Sequence, residues 1–93
     1  MMNFTMLTLL DFYADWCGPC KVMKPTMDEV GKEFSGKVAL KEIDVDAQTE
    51  IASRYGISSI PTLVFEKDGQ EVARFIGAQS KQALITEIQK HLG

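Results

Sequence analysis

The sequence predicts an α/β fold with a mixed central sheet of about four strands flanked by helices, in the order β-α-β-α-β-β-α. Three observations carry this expectation. Apolar runs of strand length alternate with stretches of helical period, which argues a layered α/β domain. Asp68-Gly69 stands between two strand-like stretches and marks a two-residue hairpin, so one strand pair is antiparallel. The chain has 93 residues, enough for one core and too few for two, so a single domain over residues 1–93 is expected.

The elements follow in order. Phe4 to Ala14 is a nearly continuous apolar run broken by Thr residues and Asp11, the pattern of a strand covered on both faces. Pro19 sits where a helix can start at no cost. Cys20, Met23, Met27, Val30 and Phe34 then recur at spacings of three and four, one helical face turned to a core. Pro25 falls inside this helix and should kink it, and Ser35-Gly36 should end it. Lys37 to Val45 reads as a second strand. Asp46 to Tyr55 reads as a short helix with Asp46 as N-cap, a Glu50–Arg54 pair on its surface and Gly56 just past its end. Ile57 to Pro61 is a loop, Thr62 to Glu66 a third strand, and Gln70 to Ile76 the antiparallel return. Ser80 is a candidate N-cap for a last helix with Leu84, Ile85, Ile88 and Leu92 on its apolar side. Right-handed crossovers are expected to join the first three strands, with the hairpin supplying an edge.

Composition narrows the function. Net charge is −3 with both signs scattered, which argues against nucleic acid and against a polybasic membrane contact. Two cysteines are too few for a secreted disulfide scaffold. Met1 to Leu10 is apolar but carries no leading Lys or Arg, a poor signal peptide and too short to span a bilayer. A cytoplasmic protein with no nucleic acid or membrane partner is the expectation.

The chemistry sits in Ala14-Asp15-Trp16-Cys17-Gly18-Pro19-Cys20-Lys21, at a predicted strand–helix junction. Cys-x-x-Cys in that context reads as a redox pair. A thiolate is the attacking species in disulfide exchange, and a helix N-terminus lowers a thiol pKa. Cys17 is expected at the helix mouth with its sulfur meeting solvent, and Cys20 on the buried stripe. A purely structural clip would close almost no loop and restrict the unfolded chain little. A zinc site needs about four ligands, and the chain offers two Cys and His91 at the far terminus, so no metal is expected.

The hexapeptide Trp16-Cys17-Gly18-Pro19-Cys20-Lys21 resembles the active site of thioredoxins. The resemblance runs from about Leu7 onward and implies the thioredoxin fold, here without its usual first strand and helix. It implies a protein disulfide reductase, a thiol-disulfide oxidoreductase working through a Cys17–Cys20 redox disulfide. Asp11 matches the family's buried aspartate, the base that deprotonates Cys20; burial without a partner should raise its pKa. Ile60-Pro61 resembles the family's cis-proline loop, whose backbone pairs with extended substrate. Trp16, Gly18, Pro19, Ile60, Pro61, Gly77 and Ala78 are the implied docking residues. No cofactor is bound in the family; the implied partners are disulfide-containing proteins and an external flavin-containing thioredoxin reductase, fed by NADPH or by a ferredoxin route. Left open are an oxidase or isomerase of the same fold and a non-catalytic binding subunit.

Three departures stand out. Tyr13 occupies a place where many relatives have Trp. The short start should leave the Lys37–Val45 strand at a sheet edge, guarded by Lys41 and Glu42, in a monomer of modest stability. Many bacterial relatives carry Lys where Glu42 stands, so the charge partner of Asp11 is not given by the resemblance.

Overall fold

The computed structural model describes residues 6–92. The elements are β1 (Leu7–Tyr13), α1 (Gly18–Glu33), β2 (Val38–Asp44), α2 (Thr49–Arg54), β3 (Thr62–Lys67), β4 (Gln70–Ile76) and α3 (Lys81–Leu92). The predicted order holds. The predicted start of the first strand at Phe4 and Thr5 lies outside the described residues.

The sheet runs β2-β1-β3-β4. β1 pairs parallel with β2 and antiparallel with β3, and β3 pairs antiparallel with β4. This corrects the expectation of crossovers joining the first three strands. Only β1-α1-β2 is such a unit. α2 has six residues, about 9 Å of helix, against about 23 Å for a seven-residue strand. It cannot carry the chain back along the sheet. The connection therefore starts and ends at the same end of the sheet, and β3 sets out from there in the opposite direction. Phe12 pairs with Thr62 as a result, which brings Pro61 level with the C-terminal end of β1.

Alternation along β1 divides the interior into two. Leu7 and Leu9 join Met23, Met27, Val30, Leu84 and Ile88 in a core under α1 and α3. Leu10 and Phe12 join Ile43, Ala52 and Val64 in a smaller core under α2. Asp11 therefore faces α1. The same alternation on β2 puts Val38, Leu40 and Glu42 on the α1 side and Ile43 on the α2 side.

Local chemistry fixes the ends. Cys17 caps α1, and the helix continues through Pro25. Ser80 Oγ accepts the Ala83 N–H at 3.1 Å, the cap the sequence predicts for α3. Asp68 and Gly69 both have positive φ, 57° and 76°, the requirement of a type I′ hairpin turn. Asp46 does not cap α2. Gln48 holds that position without a side-chain bond, and Asp44 Oδ1 instead accepts the Asp46 N–H at 2.9 Å. The Tyr55 hydroxyl donates to Glu66 on β3 and ties α2 to the sheet. Lys81 pairs with Glu29 and Glu33, each at 3.2 Å, and ties α3 to α1.

Candidate active site

β1 ends and α1 begins across four residues, so the start of the helix stands at the C-terminal end of the central strand. The Cys17 N–H donates to Ala14 O at 3.1 Å, and Cys17 Sγ accepts the Cys20 N–H at 3.2 Å. Both contacts place the first sulfur at the positive end of the helix dipole, where a thiolate is favoured. Cys17 and Cys20 are joined as a disulfide, with Cα atoms 5.3 Å apart. Gly18 and Pro19 form the exposed first residues of the helix.

The relative exposure of the two cysteines corrects the sequence expectation. Cys17 is 4 % exposed, and Cys20 is half-buried. Cys17 folds its sulfur back over the first turn as the cap. Cys20 lines a cavity of ≈ 350 Å³ that it shares with Asp11, Lys24 and Glu42. The distinction between the sulfurs in this oxidised form therefore lies in electrostatic setting, with Cys17 on the dipole and Cys20 on the carboxylate cavity.

Asp11 is 7 % exposed and has no hydrogen-bond partner among the described residues. Burial pushes its carboxyl up from 3.8 to about 6; Glu42 beside it pushes the same way and Lys24 opposes both. A carboxyl poised there can accept a thiol proton near neutral pH. Lys24 is the residue that sequence reasoning missed. It lies four residues after Cys20, hence on the same helix side, and its Nζ stands 3.0 Å from Glu42 Oε2. That spacing was the available signal.

The residues expected to dock substrate gather around the proline loop and a groove beside Trp16. Ile60-Pro61 is cis. The Gly77 N–H donates to Pro61 O at 2.8 Å, which brings the Gly77-Ala78 turn against the proline loop, with Gly77 at φ 97°, where a side chain would be strained. Trp16 is 70 % exposed, and its Nε1–H donates to Asp46 Oδ2 at 2.8 Å. Trp16, Val45, Ile57 and Ile60 line an open groove floored by apolar side chains. Asp46, predicted as a helix cap, thus orients the indole.

The Thioredoxin family model matches residues 2–90. The chain belongs to the thioredoxin family. It is 44% identical over 92 residues to thioredoxin 1 of Synechococcus elongatus, covering 99% of this chain and 86% of that one. It is 44% identical over 86 residues to the thioredoxin of Bacillus subtilis, covering 92% and 83%. The crystal structure of the germline-specific thioredoxin Deadhead of Drosophila melanogaster superposes with a TM-score of 0.86 at 40% identity, covering 92% of this chain and 81% of that one. With its Cys-x-x-Cys pair at disulfide distance, this member of the thioredoxin family is a thiol-disulfide oxidoreductase that reduces protein disulfides.

Proposed function

We propose that reduction proceeds in two exchange steps with separate roles for the two cysteines. The Cys17 thiolate attacks a substrate disulfide and forms a mixed disulfide, releasing one substrate thiolate. Asp11 then takes the proton of Cys20, directly or through a water. The Cys20 thiolate attacks Cys17 Sγ, the Cys17–Cys20 bond forms, and the second substrate sulfur leaves. One observation carries this reading: the Cys17 sulfur caps α1, while Cys20 lines the cavity that also holds the Asp11 carboxyl.

Substrate docks on the groove side. Trp16, Gly18, Pro19, Gly77 and Ala78 offer an apolar, shallow surface that suits varied extended segments, and the Ile60 backbone beside Pro61 pairs with them. The two sulfurs carry both electrons, so these exchange steps need no bound cofactor. The oxidised pair is re-reduced by an external thioredoxin reductase, and disulfide-bearing proteins are the substrates. The protein works as a cytoplasmic monomer without nucleic acid or membrane. Scattered charge supports the lack of a nucleic-acid or membrane partner. Lys41 and Glu42 on the edge strand β2 support the monomer.

The test is insulin-disulfide reduction with dithiothreitol, run beside a trapping assay. Cys20→Ser is expected to accumulate the mixed disulfide, and Cys17→Ser to form none and to lose turnover. Trapping by Cys17→Ser in place of Cys20→Ser would reverse the roles.

A further inference from the structure

The cavity beside the disulfide has a charged rim that the two exchange steps leave unused. Asp11 on β1 and Glu42 on β2 are register partners on the face covered by α1. Neighbouring strands stand about 4.8 Å apart, so the two carboxyls are set side by side. α1 lays Lys24 across this pair, with Nζ 3.0 Å from Glu42 Oε2 and 3.6 Å from Asp28 Oδ1. The side chains of Lys24 and Glu42 are 58% and 35% exposed. The cavity thus leads from a buried carboxyl and a half-buried sulfur to an ion pair in contact with solvent.

The other groups facing Asp11 do not offer the same route. α1 also contributes Lys21, and β1 with the turn after it contributes Tyr13 and Asp15. β3 sets Leu63 against Asp11. Lys21 has no proton acceptor to offer, Tyr13 titrates high, and Asp15 is exposed on the turn beyond the strand. Glu42 is the carboxylate alongside Asp11 in the sheet.

The chemistry makes a demand on this rim. When Cys20 is deprotonated, its proton goes to Asp11, the Cys17–Cys20 bond forms, and the Cys17–substrate bond breaks. The substrate thiolate takes a proton from solvent. Asp11 is left holding a proton in the cavity that Lys24 and Glu42 border. Exchange of that proton with water needs a route.

We propose that the Lys24–Glu42 pair is the proton outlet of Asp11, with Glu42 passing the proton across the strand pair to solvent and Lys24 holding Glu42 over the cavity mouth. This rests on Asp11 being the base for Cys20. Lys24 and Glu42 are positioning residues, since they act on the sulfurs through Asp11. The two charges also oppose each other. Glu42 disfavours the ionised form of Asp11, and Lys24 favours it. Removal of either one alone must therefore move the titration of the base in opposite directions.

Stopped-flow reduction of 5,5′-dithiobis(2-nitrobenzoate) separates the steps, because Cys17 attack releases one chromophore and Cys20 attack the second. The second phase is followed from pH 5 to 9 in the wild type, Glu42→Gln, Lys24→Met and Asp11→Asn. Glu42→Gln is expected to move its midpoint to lower pH and Lys24→Met to higher pH, each by about half a unit. Glu42→Gln is also expected to slow the second phase at pH 7 roughly tenfold, with imidazole restoring it as an external carrier. The first phase should be unchanged in both. Midpoints that stay put or move together, with no imidazole effect, overturn the outlet while a slow second phase in Asp11→Asn keeps the base. An unchanged second phase in Asp11→Asn removes the base itself, and the outlet with it.

Discussion

The two faces of β1 are built differently. Toward α1 and α3 lies the larger core, and within it the strand carries Asp11. Toward α2 lies a smaller core, and its margin carries the groove of Trp16, Val45, Ile57 and Ile60. The disulfide stands at the end of the strand, between them. The difference follows from what each task needs. A carboxyl tuned to near neutrality needs removal from water, which the cover of α1 over the sheet provides. A docking surface for unrelated substrates needs apolar side chains left open, which a six-residue helix permits because it covers little of the sheet.

Asp11→Asn breaks this comparison most sharply, because it should harm catalysis and help folding at once. The second chromophore phase at pH 7 is expected to fall about a hundredfold, with the first spared. The stability effect has a definite sign. The folded chain holds the Asp11 proton more tightly than the unfolded chain, with a carboxyl at about 6 against an ordinary 3.8. Below pH 3.8 both states are protonated and no charge penalty exists. Stability falls as pH rises from 3.8 to 6, and above 6 the penalty stands in full. Thermal unfolding should show Asp11→Asn more stable by up to about 3 kcal/mol at pH 7 to 8, with no such gain below pH 3.8. An equal gain at pH 3 and pH 8 would rule out ionisation as its source.

Trp16→Ala probes the opposite face. It removes an exposed indole and its bond to Asp46. The KM for a protein disulfide should rise roughly tenfold, about 1.4 kcal/mol, while the second chromophore phase keeps its rate and pH profile. A changed second phase would show that docking and proton transfer are not separable. The smallest effect is expected from Ser80→Ala, which loses the α3 cap far from both faces of the site. It should lower stability by about 1 kcal/mol in a denaturant titration and leave both phases alone.

Much of this was legible in the sequence because local chemistry set it. The Met23-Met27-Val30 stripe, the Asp68-Gly69 turn and the Ser80 cap each depend on neighbours within a few positions, and each sits in the structure as the spacing predicts. Cys17 as the start of α1 belongs to the same class. What was hidden depends on contacts across the fold. The direction of β3 turns on how short α2 is, a boundary that hydrophobic period leaves loose by several residues. Asp46 looked like a cap because its type favours caps, but Trp16, thirty residues earlier, claims its carboxylate. The exposure of the cysteines reversed because the Cys20 face of α1 opens on a cavity. That cavity is made by β1 and β2 together, and a helical stripe read alone cannot show it.

The antiparallel entry of β3 has a practical consequence for anyone attaching this domain to something else. It gathers the disulfide, the proline loop and the Gly77 turn at one end of the sheet. The tip of the β3–β4 hairpin and the turn before β2 are left at the other end, where Leu7 pairs with Lys67 and Val38. A tether, a label or an inserted peptide at that distal end would travel with the domain while the exchange surface stayed clear for its clients.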